Sequence, residues 1–284
     1  MIREDFLPLV DEFLDLYPGR PVRANAGGMG INHCFGLFAV LRSRSPQLVV
    51  ESGVWKGQST WIIEQAVPAA SIVCIDPRPD LREYSSKSAE YRTEDFAGID
   101  WSQYPTSDAV CFFDDHQNEY SRLMELRWWG FRSAIFEDNF PVGEGDCYSL
   151  RHALAGVGHT EIQMSRAYRP TGRRRVVRRV EESVLRRYLW RQAMLRDPNI
   201  VDAAALRRNL ALYLETPALA LNPTNNWGGE WTGAYAIATK PIFADLTDSP
   251  RLAAILADLD AAGARRELEY GYMAFVELSE TTAR

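Results

Sequence analysis

Histidine is scarce in this chain, with four in 284 residues, and so is cysteine, also with four. Cys34, Cys74, Cys111 and Cys147 lie far apart and form no C-x-x-C pair, which excludes the usual thiolate metal and redox motifs. Three of them sit in apolar stretches, where a free cysteine behaves as a small hydrophobe, so structural thiols in a reducing cytoplasm are expected. No apolar run reaches the roughly 18 residues of a bilayer-crossing helix, and no membrane span is expected. The opening MIREDFLPLVDEFLDL places acids among its apolar residues and lacks the basic start and unbroken apolar core of a secretory signal. Positive charge is also short: 32 Lys and Arg against 38 Asp and Glu give a net charge of −6, which argues against a dedicated nucleic-acid binder. There is no internal repeat and no low-complexity tract. With 46% hydrophobic and 25% charged residues, the composition is that of a globular protein of one large domain or two small ones.

Residues 6–16 read as a short amphipathic helix ended by Tyr17-Pro18-Gly19. A glycine-rich stretch, ANAGGMG at 24–30, precedes helical spacing over 35–42. Residues 1–45 thus read as an N-terminal helical or lid segment before an α/β domain over 46–284. Residues 47–54 (QLVVESGV) form an apolar run ending in an acid and a glycine, followed by a turn and a helical WIIEQAV. Three more apolar runs are predicted strands: SIVCI closing on Asp76, AVCFF closing on Asp114-Asp115-His116, and SAIF closing on Glu137-Asp138-Asn139. A further strand belongs somewhere in 78–107. Short apolar strands alternating with helices predict a parallel sheet covered on both faces. The acids then converge on the carboxyl edge, where open α/β sheets bind ligands. Beyond Asn139 the pattern breaks into a helical insertion over about 156–230. It contains a basic amphipathic stretch at 173–191, a predicted helix at 203–214 and a polar loop from 222. Strand character returns at 234–238 and 270–278, with a helix predicted at 252–262.

Two constellations carry chemistry. In Glu51-Ser52-Gly53-Val54-Trp55-Lys56-Gly57-Gln58-Ser59, glycines at a strand-to-helix turn let backbone approach a ligand, and the helix start presents free N–H groups. Asp76, about 20 residues on at the next strand end, suits a ribose diol. Together these predict an adenosine-type pocket formed by Glu51, Gly53, Gly57, Ser59 and Asp76, with Gly28 from the glycine-rich stretch. The second constellation sets Asp114, Asp115 and His116 beside Glu137, Asp138 and Asn139. Carboxylates this close share a proton or hold a cation, and hard oxygen donors point to Mg²⁺. His116 is the candidate general base; alternatively it orients a ligand carboxylate. His33 is placed near the cofactor or is a helix-start histidine, and Trp227 and Trp231 mark a loop suited to a polar, planar or sugar-like group or packed under its own tryptophans.

The string E-S-G-x-x-x-G-Q-S-T resembles the first motif of class I S-adenosylmethionine-dependent methyltransferases, usually (D/E)-x-G-x-x-x-G. Asp76 resembles the acid that holds the ribose hydroxyls there. The acidic strand ends resemble the metal-dependent O-methyltransferases. That group includes the catechol and caffeoyl-CoA enzymes, the macrocin- and mycinamicin-type sugar enzymes and the cephalosporin hydroxylase-like proteins. The resemblance covers about 27–154 and the strands at 234–238 and 270–278. It implies a Rossmann-like class I methyltransferase fold, with a mostly parallel sheet and helices on both faces. It also implies S-adenosylmethionine and Mg²⁺ as cofactors, and methyl transfer to a hydroxyl of a sugar or small natural product. One acid after the fourth strand and an acidic pair after the fifth hold the metal in that group. Carried over, Glu137 and Asp138 are the pair, Asn139 would serve in the catechol-type register, and either Asp114 or Asp115 is the third ligand. Asp115 is also a catalytic candidate beside His116. The catechol-type enzymes lack the inserted segment, so a flat catechol is not favoured. A different reaction on the same scaffold, as in the hydroxylase-like proteins, and a non-catalytic nucleoside-binding protein are the alternatives. A cytoplasmic homo-oligomer is expected.

Overall fold

The computed structural model describes residues 1–157, 201–261 and 270–280. The predicted basic helix at 173–191 lies outside them. Within them, seven strands form one sheet: β1 Leu48–Ser52, β2 Ser71–Ile75, β3 Ala89–Arg92, β4 Ala109–Phe113, β5 Ser133–Phe136, β6 Leu210–Glu215 and β7 Ala274–Leu278. Their order is β3-β2-β1-β4-β5-β7-β6. The first five run parallel, and β7 enters antiparallel to both β5 and β6. β1 is central and buried on both faces, which is why it reads as a continuous apolar run rather than an alternation.

Alternate residues feed two cores. Val49, Ile72, Val110 and Ile135 face a layer built from α1 (Val10–Leu16), α2 (Ile31–Arg44), α3 (Gln58–Ala66) and a late helix, Pro250–Ala261. Leu48, Val50, Val73, Cys111 and Phe113 face α4 (Glu119–Trp129), α5 (Leu150–Leu154) and α6 (Ala203–Asn209). Both faces of the sheet are covered, as expected. All four cysteines are buried and free. The N-terminal residues Phe6, Val10 and Phe13 share a core with β1 and β2, so 1–45 packs against the sheet. Among the described residues no helix is long and apolar enough to cross a membrane.

The strands predicted at 71–75, 109–113 and 133–136 are observed there. The unplaced strand is β3, an edge strand of sequence AEYR that is partly exposed and has no apolar run to betray it. Two expectations are corrected. The predicted helix over 203–214 is helical only to Asn209; LALYLE then pairs with β7 as β6, with a register shift between Leu210 and Leu212. Cross-strand packing overrides the helix preference of Leu and Ala there. The predicted strand at 234–238 is instead a single 3₁₀ turn, Gly233–Tyr235, and irregular chain. Its carbonyls at Ala234 and Ala236 accept from the Arg151 guanidinium (3.1 and 2.9 Å) rather than from a neighbouring strand. The range 156–230 therefore includes a strand of the sheet itself.

Candidate functional site

The turn after β1 is built by close approach. Gly53 has φ +95°, and a Cβ there would lie 1.9 Å from the Asp114 carbonyl oxygen. Gly57 has φ +90°, and its Cβ would lie 2.3 Å from the Tyr84 carbonyl oxygen. Both glycines are thus required by the chain's own backbone, where the sequence suggested access for a ligand. Asp76 latches the turn. Its Oδ2 accepts from the backbone N–H of Val54 (2.9 Å) and Trp55 (2.8 Å), and its Oδ1 from that of Arg78 (2.7 Å). A carboxylate has about four acceptor positions, so Asp76 keeps capacity for a hydroxyl. Trp55 sits at φ +49° within this latched turn.

Glu51 is placed elsewhere than expected. Its position in β1 turns the side chain into the α3 layer, where it is fully buried. Its Oε2 accepts from the Thr60 hydroxyl (2.6 Å) and the Cys74 thiol (3.0 Å). Burial pushes its carboxyl above the ordinary value, against the lowering effect of these hydrogen bonds. Glu51 therefore braces α3 against β2, and its Oε1 has no hydrogen-bond partner among the described residues.

The cleft lies at the start of α3. Asn25, Gly28, Val54, Gln58, Ser59 and Asp114 are among the residues that line it. The 24–30 segment is drawn over it, with Lys56 Nζ donating to the Ala24 carbonyl (2.9 Å) and Trp55 Nε1 to that of Ala26 (3.3 Å). Gly28 and Ser59 thus meet as the sequence proposed. Gln58, absent from the sequence assignment, carries the sharper signal. It is 2% exposed, yet neither its amide oxygen nor its amide nitrogen has a hydrogen-bond partner among the described residues. A buried amide left unpaired is costly and marks where a polar ligand belongs. The start of α3 adds backbone N–H groups with no partner within the helix. This donor set fits an anionic, zwitterionic or nucleoside ligand.

Asp114 also belongs to the second cluster. Ligand atoms of Asp114, His116 and Asp138 lie within 4.8 Å of one another, and Asp138, Asp146 and Cys147 form an overlapping group. His116 holds φ +50° and sets Nδ1 3.0 Å from Asp138 Oδ2 and 3.3 Å from Asp146 Oδ1. Those hydrogen bonds push the imidazole up to about 12, so it is a cation in this arrangement. In this arrangement the ring is paired with both carboxylates, and a base role would need its release from them. Asp146 has no motif around it, and the sequence missed it.

Burial, then repulsion from Glu137, raises the carboxyls of Asp114 and Asp138 well above the usual range. Such buried, mutually repelling oxygen donors fit a divalent cation, whose charge would offset both terms. Glu137 stands apart from the converging set, its Oε1 paired with His33 Nδ1. Burial raises this carboxyl, but the His33 pairing and a hydrogen bond from Asp138 outweigh that and leave it at about 2. Asn139 is structural: it donates to the Tyr213 hydroxyl (2.8 Å) and accepts from the Arg151 backbone N–H (3.0 Å).

Asp115 lines a small cavity with His116, Arg122 and Asp138. Its Oδ2 accepts from Arg122 Nη2 (2.8 Å) and Nε (3.1 Å) and from the Ser52 hydroxyl (2.7 Å). Consecutive residues at a strand end point in opposite directions. Its Oδ2 is thus engaged by the buried Arg122, and Asp115 is not among the residues whose ligand atoms converge.

No protein-family model matches the chain, and no curated protein matches it. Similar solved structures include a methyltransferase from Geobacter sulfurreducens, 21% identical, covering 46% of this chain and 70% of that one at a TM-score of 0.34. The O-methyltransferase TomG from Streptomyces achromogenes, involved in tomaymycin synthesis and solved with S-adenosylmethionine, is 13% identical. That match covers 45% of this chain and 64% of that one, at a TM-score of 0.34. The methyltransferase PaMTH1 of Podospora anserina, bound to S-adenosylhomocysteine, is 12% identical over 46% and 62% of the two chains, at 0.33. The overlap is therefore partial in every case and leaves more than half of this chain uncovered. The chain's own strand order, five parallel strands with β7 inserted antiparallel between β5 and β6, is that of the Rossmann-like class I methyltransferase fold.

Proposed function

We propose that the chain is an S-adenosylmethionine-dependent O-methyltransferase assisted by a divalent cation. The observation that carries this reading is the position of Asp114. It lines the cleft that holds the unpaired Gln58 amide and is also a member of the acid cluster. A nucleoside cofactor and a cation-held acceptor would meet across that one residue. When bound, the sulfonium supplies an already activated methyl group and the cation lowers the pKa of an acceptor hydroxyl.

The chain's residues then position and deprotonate. Gln58 and the first N–H groups of α3 hold the amino-acid end of the cofactor, and the remaining acceptor capacity of Asp76 takes a ribose hydroxyl. Asp114 and Asp138 would supply oxygen donors for the cation, with Asp146 in the overlapping group beside them. His116 can accept a proton only once released from Asp138 and Asp146, and a cation claiming Asp138 competes for that contact. The acceptor reading, a sugar or polyol-like small molecule, draws support from Trp227. This ring is 37% exposed and packs edge-on against Phe140 at 6.3 Å, two residues past Asp138. Such a ring suits stacking on a sugar or planar face.

Titration calorimetry with S-adenosylmethionine and S-adenosylhomocysteine, with and without Mg²⁺, tests the reading. Both nucleosides bind the wild-type chain, and Gln58→Ala weakens them roughly tenfold through the loss of one or two hydrogen bonds. The Gln58 amide makes no internal bond, so that variant melts close to wild type. A chain that binds neither nucleoside refutes the proposal.

A further inference from the structure

We propose that His152 is a positioning residue: its neutral ring holds the loop at 140–146, and with it Asp146, in place beside the acid cluster. That Asp146 serves a cation rests on the proposed function; the hold on the loop does not. His152 belongs to no motif and lies on α5, shortly after the loop. Its Nε2 accepts from the backbone N–H of Gly143 at 3.0 Å, and its Nδ1 lies 2.7 Å from the Ser149 hydroxyl. A backbone amide can only donate, so Nε2 carries no proton while this bond stands. The Ser149 hydroxyl donates its one proton to the Phe140 carbonyl, at 2.7 Å. Its oxygen is therefore the acceptor for the ring, and the ring proton is on Nδ1. The relay from Gly143 through His152 and Ser149 to Phe140 is matched, donor to acceptor, in the neutral state alone. A second proton would set Nε2–H against the Gly143 N–H, donor against donor.

The loop carries this hold to the cluster. It runs from Phe140, two residues past Asp138, to Asp146, whose ligand atom converges with those of Asp138 and Cys147. A Cβ on Gly145, at φ +81°, would collide with the Phe140 ring. The chain beside Asp146 thus packs on the residue whose carbonyl Ser149 holds. Asp146 Oδ1 then meets His116 Nδ1 at 3.3 Å. The charged groups of the elements around the His152 ring are engaged elsewhere. Glu144 accepts from the Tyr235 hydroxyl, and Arg151 donates to Glu215. Glu119 on α4 accepts from the Leu150 N–H, and Arg207 on α6 donates to the Leu154 carbonyl. Tyr148 packs its ring 5.5 Å away. Burial alone lowers the imidazole below its ordinary value of 6.5. The hold is thus complete above about pH 6.5 and is lost as pH falls through the lowered value.

Hydrogen exchange of the Gly143 amide, read by NMR on the cation-free chain and corrected for the intrinsic effect of pH, measures the hold. At about pH 7, His152→Ala removes both ring bonds and speeds exchange about tenfold. His152→Gln places an amide oxygen near the Nε2 position and keeps the bond from Gly143, so its loop exchanges much as in wild type. Below about pH 6 the wild-type loop loosens toward the alanine rate. The glutamine variant has no ring to protonate and does not loosen. Long-range ¹H–¹⁵N spectra of the imidazoles show the His152 proton on Nδ1. Equal exchange in wild type and His152→Ala, a proton on Nε2, or a wild-type loop indifferent to pH overturns the proposal. Calorimetry with Mg²⁺ or Mn²⁺ alone, at about pH 7, reads the consequence: His152→Ala weakens the cation about tenfold and His152→Gln does not. Faster exchange with unchanged cation affinity overturns the tie to the cluster. A wild-type chain that binds neither cation overturns the cation reading, while the exchange rates still decide the hold on the loop.

Discussion

Asp114 and Asp115 are adjacent and chemically identical, yet the structure assigns them opposite roles, and a pair of asparagine variants separates them. Asp115→Asn removes the charge that Arg122 meets with two hydrogen bonds, at 2.8 and 3.1 Å. Arg122 is 3% exposed. Breaking one partner of a buried ion pair costs about 3–5 kcal/mol. Arg122 keeps Asp95 (2.9 and 3.0 Å) and Glu125 (2.7 Å), so the lower end, about 3 kcal/mol, is expected. In a chain of this length each kcal/mol moves the melting temperature by roughly 2–4 °C, which gives a fall of about 6–12 °C. Asp114→Asn has the reverse profile. Burial and the neighbouring carboxylates oppose ionisation of Asp114, so a neutral amide relieves that cost and the melting temperature holds or rises. The same variant loses a ligand atom from the cluster and abolishes cation binding. Thermal melts read by circular dichroism, paired with Mg²⁺ calorimetry, give both numbers on each variant. A stable Asp115→Asn that no longer binds the cation, beside an Asp114→Asn that still does, would refute the assignment.

Two further outcomes test the frame around the site. Burial raises the Glu51 carboxyl, so the fold favours its protonated form; stability from this group is full below the unfolded-chain value of about 4.3 and is lost as pH rises through the folded value. Glu51→Gln therefore melts higher than wild type at pH 8, and the gap closes toward pH 4; a gap that widens on acidification refutes the buried-acid account. Gly57→Ala meets the Tyr84 carbonyl at 2.3 Å with φ at +90°, and strain and overpacking together destabilise the fold by about 3 kcal/mol without any ligand. A wild-type melt with lost nucleoside binding would mean instead that this glycine serves the ligand.

Sequence exposed the parts of this protein whose signal is local. β2, β4 and β5 are buried parallel strands, and their uninterrupted apolar runs announce them. β3 lies at the sheet edge with AEYR and has no such run. LALYLE carries no β-branched residue and so little local strand signal, and its pairing with β7 makes it a strand. In the site, the acids at the strand ends were legible because topology alone brings them to one edge. Which of Asp114 and Asp115 faces the cluster depends on Arg122, a cation on the next helix that fixes Asp115, and residue spacing does not reveal that contact. Glu51 matched a motif, but its direction follows from strand alternation, and that sends it under α3. Asp146 and Gly145 belong to no motif, and Gln58 stands inside one without an assigned role. Their roles arise from an unpaired amide, a loop carboxylate and a close approach, each visible only once the chain is folded.

Asp114 borders both the cleft and the acid cluster, and on the proposed function this would make the two occupancies a single linked equilibrium. Whatever factor a cation exerts on nucleoside affinity, the nucleoside must return to the cation, because the free energies around a closed binding cycle sum to zero. On the proposed function the sign would follow from charge. Burial and the neighbouring carboxylates favour protonated Asp114 when the site is empty, and a cation would hold it ionised beside the cleft. A positively charged sulfonium nucleoside would feel that change of local charge, and its neutral thioether product far less.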